Sequence, residues 1–305
     1  MPNLAVIDIG TNTINLLVAE SLGAEFKTLF FERIAAKLGK GGMASGRLTE
    51  EAMQRGLDAL RVHKVHCKNF QVQDLRITAT SAVRSAQNGM DFVAKVKQEF
   101  DWEIEVIDGQ REAELIWKGV KLTGLLDTGS GLIMDIGGGS TEFILADAKG
   151  VNWMKSYDLG VTRLAERFMA HDPFSKEEER SMKRALEEDL KELWKAMESF
   201  PCERLIGASG SFNSLSAILA GGILNEQHSI CEEIDIQAYS ELSARIRSLP
   251  FEEREAILGL VPDRVDTIPY SVLLIDTVLD QLDIKEMTRS SYALKEGLMG
   301  EMIIR

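Results

Sequence analysis

Residues 132–145 read Leu-Ile-Met-Asp-Ile-Gly-Gly-Gly-Ser-Thr-Glu-Phe-Ile-Leu, two apolar runs separated by an aspartate, three glycines, two hydroxyl residues and a glutamate. Apolar, β-branched runs around a glycine turn are typical of a strand-turn-strand unit. Three consecutive glycines let the backbone approach a ligand closely and aim successive N–H groups at an anion. A carboxylate beside a bound phosphate is repulsive unless a divalent cation lies between them, so Asp135 is interpreted as a Mg²⁺ ligand acting through water. The alternative is a tight hairpin with an incidental aspartate.

The same pattern occurs at the start of the chain. Residues 4–18 read Leu-Ala-Val-Ile-Asp-Ile-Gly-Thr-Asn-Thr-Ile-Asn-Leu-Leu-Val, which again predicts a strand, an Asp-Ile-Gly turn and a second strand. Two such turns at corresponding places predict two similar domains that face each other across one ligand. A third glycine turn, in residues 204–211, leads from a strand into a helix, and helix N-termini bind phosphate.

Composition and charge exclude several kinds of protein and binding partner. The chain has 305 residues, of which 45% are hydrophobic and 27% charged, and these are values of a globular protein long enough for two domains. It contains no apolar run of eighteen residues and no visible leader, and its three cysteines are far apart, so we expect a cytoplasmic protein with reduced thiols and no membrane partner. A net charge of −13 argues against nucleic-acid binding but allows a phosphate substrate held by backbone N–H groups and Mg²⁺.

The order of the predicted elements indicates an α/β architecture. Strands and helices alternate through residues 75–120, and the second half repeats the plan with three strands, a long helix from 176 to about 200, and helices over 236–282. We place the division between the domains in residues 122–130, giving domains 1–124 and 125–305, with the last helix able to pack back on the first. His63, His66 and Cys67 match no metal-ligand spacing and are interpreted as the end of a helix.

Six motifs then resemble one known family. They lie at 8–13 (Asp-Ile-Gly-Thr-Asn-Thr), 80–88 (Thr-Ser-Ala-Val-Arg-Ser-Ala-Gln-Asn), 109–113 (Gly-Gln-Arg-Glu-Ala), 135–142 (Asp-Ile-Gly-Gly-Gly-Ser-Thr-Glu), 159–163 (Leu-Gly-Val-Thr-Arg) and 207–210 (Gly-Ala-Ser-Gly). In this order they resemble the exopolyphosphatase/guanosine pentaphosphate phosphohydrolase (Ppx/GppA) family of the sugar kinase/actin/Hsp70 superfamily. The resemblance implies two actin-like (ribonuclease H-like) domains, each with a mixed five-stranded sheet and flanking helices, and an active site in the cleft between them.

The resemblance also implies roles for individual residues. Glu112 is the expected catalytic base, with Glu142 as the next candidate, and Arg84 would neutralise developing charge. Asp8 and Asp135 would place Mg²⁺. The expected phosphate-binding residues are Thr11, Asn12, Thr13, Asn88, Gly137, Gly138, Gly139, Ser140, Thr141, Gly207, Ser209 and Gly210.

The implied function is hydrolysis of the terminal phosphoanhydride bond of polyphosphate or of guanosine pentaphosphate, the latter a link to the stringent response. Long members of the family carry additional C-terminal domains that this sequence lacks, and the basic residues near the expected cleft are few, so we expect a preference for short chains. Another departure is Lys295, which stands where many members have Arg. A kinase or ATPase of the superfamily, a non-catalytic nucleotide-binding scaffold and a homodimer remain open.

Overall fold

The structure is a computed structural model that describes residues 1–222 and 230–304. The strands and helices of the first half are β1 (Asn3–Ile9), β2 (Ile14–Ser21), β3 (Phe26–Ile34), α1 (Glu50–Asn69), β4 (Asp74–Ala79), α2 (Ser81–Ser85), α3 (Gly89–Phe100), β5 (Glu105–Val106) and α4 (Gly109–Lys121). As the sequence predicts, Thr49 caps α1: its Oγ1 accepts a hydrogen bond from the Ala52 N–H at 3.1 Å.

These strands form one mixed sheet in the order β3-β2-β1-β4-β5. The hairpins β1–β2 and β2–β3 are antiparallel, whereas β4 runs parallel to β1 and β5 to β4. Successive side chains of β1 point to opposite faces of the sheet. Ala5 and Ile7 pack with residues of α1 and α3, and Leu4 and Val6 pack with residues of α4. Both faces of the sheet are therefore covered, which explains why β1 is almost continuously apolar.

The second half begins after a connection over residues 122–130. Its elements are β6 (Gly131–Ile136), β7 (Thr141–Asp147), β8 (Gly150–Tyr157), α5 (Val161–Phe168), α6 (Lys176–Asp189), α7 (Lys191–Ser199), β9 (Arg204–Ala208), α8 (Ser209–Leu219), β10 (Cys231–Glu233), α9 (Ile236–Ser248), α10 (Phe251–Glu255), a 3₁₀ turn (Pro262–Arg264), α11 (Ile268–Gln281), β11 (Glu286–Ser290) and α12 (Leu294–Ile303).

The second sheet has the order β10-β11-β9-β6-β7-β8. It has six strands where five were expected, because the three-residue edge strand β10 is too short to give a period-two pattern. The expected long helix is also divided: α6 ends at Asp189 and α7 begins at Lys191, with the fully buried Leu190 between them. The fold is nonetheless the expected mixed α/β architecture with two sheets and flanking helices.

The C-terminal helix α12 lies against the first half of the molecule. It packs on α4 and β1, and Leu298 and Met299 are buried there among the side chains of both elements. No helix in the described part of the chain is both long and apolar enough to cross a membrane. The division into 1–124 and 125–305 remains our proposal.

Candidate active site

Two hairpin turns of the same construction lie at the centre of the molecule. The first turn, residues 10–13, joins β1 to β2, and the Gly10 N–H donates to the Thr13 carbonyl at 2.9 Å. The second turn, residues 137–140, joins β6 to β7, and the Gly137 N–H donates to the Ser140 carbonyl at 3.0 Å. The strand register places Asp8 opposite Asn15 beside the first turn and Asp135 opposite Glu142 beside the second. Each turn is thus preceded by an aspartate at the equivalent position.

A short helix begins next to each turn as well. The parallel neighbour of the first hairpin, β4, ends at Ala79 and is followed by Ser81 at the start of α2; the neighbour of the second, β9, is followed by Ser209 at the start of α8. The Ser81 hydroxyl is buried and has no hydrogen-bond partner among the described residues. A buried hydroxyl without a partner costs free energy unless a ligand or water completes its bonding.

The two turns, which belong to different sheets, contact each other. A Cβ atom on Gly138 would lie 2.8 Å from the Thr11 side chain and 2.9 Å from that of Asn12, so only glycine allows this approach. The Thr162 hydroxyl at the start of α5 donates to the Asn12 side-chain oxygen at 2.9 Å. A cavity of about 800 Å³ opens between the halves beside these contacts. It is lined by the following residues expected from the sequence: Asp8, Thr11, Asn12, Thr13, Glu112, Asp135, Gly137, Gly138, Gly139, Ser140, Glu142, Ser209 and Gly210.

Three expected phosphate-binding residues are engaged elsewhere. The Asn88 amide accepts from the Leu48 N–H at 2.8 Å and donates to the Leu48 carbonyl at 2.9 Å, so it fastens a loop to α3. Thr141 is buried and donates to the Leu159 carbonyl at 3.0 Å. Gly207 lies under the Phe212 ring within β9. The structure brings none of the three to the cavity, and their expected phosphate contacts have no support in it.

Glu112 lies in the first turn of α4, a helix that Asp108 caps by accepting from the Arg111 N–H at 2.7 Å. Arg84 donates from Nη1 to the Ile107 carbonyl at 2.9 Å and to Glu112 Oε2 at 2.8 Å. Arg84 therefore lies beside Glu112 and orients it. Burial raises the pKa of Glu112 to about 7: the Arg84 charge opposes the shift, and the nearby carboxylates add to it.

Three more carboxylates share the cavity with Glu112: Asp135 and Glu142 are buried, and Asp8 is half-buried. Burial raises the pKa of Asp8 to about 6, although the Asn15 amide donates to it at 3.1 Å. Burial and the charge of Asp8 likewise raise the pKa of Asp135 to about 6, against a hydrogen bond from Ser209. Burial, Glu112 and Asp135 raise the pKa of Glu142 well above its ordinary value, although Ser156 donates to it at 2.6 Å. Burial is the largest cause of all four shifts, so each of these carboxyl groups takes up a proton more easily than an exposed one.

Two cationic residues of the cavity were not assigned a role from the sequence. Arg264 lies at the N-terminus of α8, where a Cβ on Gly210 would overlap its guanidinium group. Burial and the like charge of Arg33 lower the pKa of Arg264 to about 9, which leaves it charged at neutral pH. Lys295 lines the cavity from the first turn of α12. No glycine turn or predicted strand adjoins Arg264, so the local sequence does not predict that it reaches the cavity. Lys295 was noted in the sequence only because many family members have Arg at its position.

Comparisons with known proteins agree with the fold. A sequence model of the Ppx/GppA phosphatase family matches residues 17–305. The crystal structure of an exopolyphosphatase from Cytophaga hutchinsonii is 35% identical, with a TM-score of 0.95 over 99% of this chain and 97% of that one. The Ppx/GppA family member from Aquifex aeolicus is 24% identical, with a TM-score of 0.83 over 99% and 98% of the two chains, which shows the shared fold.

Proposed function

Because the chain belongs to the Ppx/GppA phosphatase family, we propose that it hydrolyses the terminal phosphoanhydride bond of polyphosphate, preferably of short chains, or of guanosine pentaphosphate. The observation that supports this proposal most is that four carboxylates, three of them buried, meet two glycine turns in one cavity between the halves of the molecule. The exopolyphosphatase of Cytophaga hutchinsonii, similar over nearly its whole length, supports the same substrate class.

The turns supply the groups that would hold phosphate. The N–H groups of Gly138 and Gly139 have no acceptor among the described residues, because only the Gly137 N–H closes the second turn. The partnerless Ser81 hydroxyl lies close by: a Cβ on Gly139 would be 2.5 Å from its oxygen. Such convergent donors bind phosphate oxygens without bringing further cationic side chains into the cavity. Arg264 would add positive charge at the N-terminus of α8.

Glu112 would activate the attacking water. Arg84 takes one carboxylate oxygen, Oε2, while Oε1 has no hydrogen-bond partner among the described residues. In our proposal Oε1 accepts a proton from water, the water oxygen bonds to the terminal phosphorus, and the bond from that phosphorus to the bridging oxygen breaks. Orthophosphate leaves, together with a chain one phosphate shorter. A base with a pKa of about 7 is well matched to neutral pH.

The carboxylates fit a divalent cation that keeps part of its water. Burial raises the pKa of both Asp8 and Asp135, and the charge of Asp8 adds to the shift at Asp135, so a cation beside them would make it easier to hold both charged. Among residues 1–222 and 230–304, no group of three or more His, Cys, Asp or Glu side chains could ligate one ion. Mg²⁺ commonly binds through one or two carboxylates, waters and substrate phosphates, and this donor set suits it. When bound it would neutralise phosphate charge; Asp8 and Asp135 would orient its waters.

The test is release of orthophosphate from tripolyphosphate, long polyphosphate, guanosine pentaphosphate and ATP, with Mg²⁺ and with EDTA. We expect release from at least one of the first three that EDTA abolishes, and slower release from ATP. Release that EDTA does not change would contradict the role of the cation. Release from ATP alone would favour an ATPase of the wider superfamily.

A further inference from the structure

The ammonium group of Lys295 is half-buried next to the carboxylates of the cavity. Its side chain is 18% exposed, and it projects from the first turn of α12, which packs on the first half of the molecule. Its charge acts on Glu296, on Asp8 and on Asp135. Burial lowers the pKa of Lys295, but these carboxylates outweigh burial and raise it, so the group is charged at neutral pH.

The backbone around Lys295 is fixed relative to the helix that carries Glu112. Glu296 accepts from the Ala293 N–H at 2.9 Å and so closes the first turn of α12. A Cβ on Gly297 would lie 1.9 Å from the Leu115 carbonyl oxygen of α4, so the two helices touch backbone to backbone. Lys295 and Glu112 are therefore held on two helices that cannot move independently at this contact.

The contacts of the ammonium group leave a donor for a ligand. Its Nζ lies 3.0 Å from Glu296 Oε1 and 4.9 Å from the centre of the Phe31 ring, which also lines the cavity. An ammonium has three N–H donors, and these contacts engage two of them. By contrast Arg33, on the same rim, donates with both terminal nitrogens to the Asp263 carboxylate.

We propose that Lys295 is a substrate-binding residue whose ammonium donates to an oxygen of a phosphate that is retained, on the first-turn side of the cavity. This inference rests on the proposed phosphohydrolase function. Its ligand is the phosphate chain behind the cleaved bond, which linear polyphosphates and nucleoside polyphosphates share. The reacting end lies by Glu112 and the second turn, while Lys295 holds the leaving group from the side of Asp8 and Phe31.

The experiment compares wild type, Lys295→Met and Lys295→Arg in hydrolysis of tripolyphosphate at fixed Mg²⁺. Removing a hydrogen bond to a charged group should raise the KM about tenfold to a hundredfold. We expect kcat to stay within about threefold, because the chemistry at Glu112 is untouched, and Lys295→Arg to recover most of the loss. Lys183→Met, which removes an ammonium paired with Asp280 outside the cavity, is the matched control and should change neither constant.

Other outcomes of this experiment separate the explanations. A KM for Lys295→Met within twofold of wild type would overturn the proposal, as would a loss confined to kcat. If Lys295→Met does not fold, Lys295→Gln takes its place. If wild type releases no phosphate, the proposed function fails; Lys295 is then judged by calorimetric binding of tripolyphosphate, and unchanged binding in the variant would reject its role.

Discussion

The first and second turns share one backbone hydrogen-bond pattern and differ in the residue that faces the aspartate. Beside the first turn, Asn15 donates to Asp8, so that carboxylate has a neutral partner. Beside the second, Asp135 faces Glu142, which places two carboxylates side by side. The pKa of Glu142 is raised by burial and then by Glu112 and Asp135, so three acids repel one another on that side. We infer that both turns bind phosphate, and that the second side also carries the reaction and needs the cation.

The largest effect should come from Glu112, the acid that completes the second side. Glu112→Gln keeps the shape and the contact with Arg84 but cannot accept a proton, so kcat for tripolyphosphate should fall by about 10²–10⁴-fold with little change in KM. Glu114→Gln is the control: Glu114 lies on the same helix but pairs with Arg111 and Lys118 outside the cavity, so this variant should stay within about twofold. Activity of Glu112→Gln close to wild type would move the role of base to Glu142.

Asp135→Asn and Asp8→Asn test the asymmetry of the two turns directly. We expect Asp135→Asn to raise the Mg²⁺ concentration for half-maximal rate by about 10–100-fold, the range for lost metal-site contacts. Asp8→Asn should raise it less, because Asn15 already satisfies part of that side chain. Equal effects, or a larger one at Asp8, would mean that the cation lies symmetrically between the turns or nearer the first.

The sequence predicted the two turns but gave no role to the cationic side chains of the cavity, and the reason is physical. Asp135, three glycines and Glu142 lie on one hairpin, so their spacing alone fixes which side chains face each other. Arg264 and Lys295 reach the same cavity from a 3₁₀ turn and a C-terminal helix, and only tertiary packing brings them there. Asn88 was expected to bind phosphate, but its side-chain amide accepts a hydrogen bond from Leu48, forty residues away in the chain. The local sequence around Asn88 does not predict this contact.

The length of the polyphosphate substrate should have a smaller effect on the rate. This effect depends on the cationic residues at the rim of the cavity, on the side of the first turn. Arg33 pairs there with Asp263, and Lys37 lies 3.7 Å from Asp266, so these cations are partly neutralised. We expect kcat/KM to fall several-fold from short to long polyphosphate, with intermediate products visible on a gel and a dependence on ionic strength. Long polymer degraded without intermediates would contradict this preference and favour a channel formed by dimerisation.

The most direct test of a cation site in the cavity is thermal unfolding of wild type as a function of pH, with and without Mg²⁺. The raised pKa values of Asp8, Asp135 and Glu112 mean that the folded protein binds more protons than the unfolded chain between about pH 4 and 7. Their contribution to stability is present below about pH 4 and is lost as the pH rises through 6 to 7.

Mg²⁺ competes with those protons and stabilises the folded state that binds it. We therefore predict that the Tm without Mg²⁺ falls between pH 5 and 8, and that Mg²⁺ raises it by a few degrees at pH 8 and hardly at pH 5. The increase at pH 8 should be much smaller in Asp135→Asn. A Tm that Mg²⁺ leaves unchanged at pH 8, or raises equally at pH 5, would contradict the account.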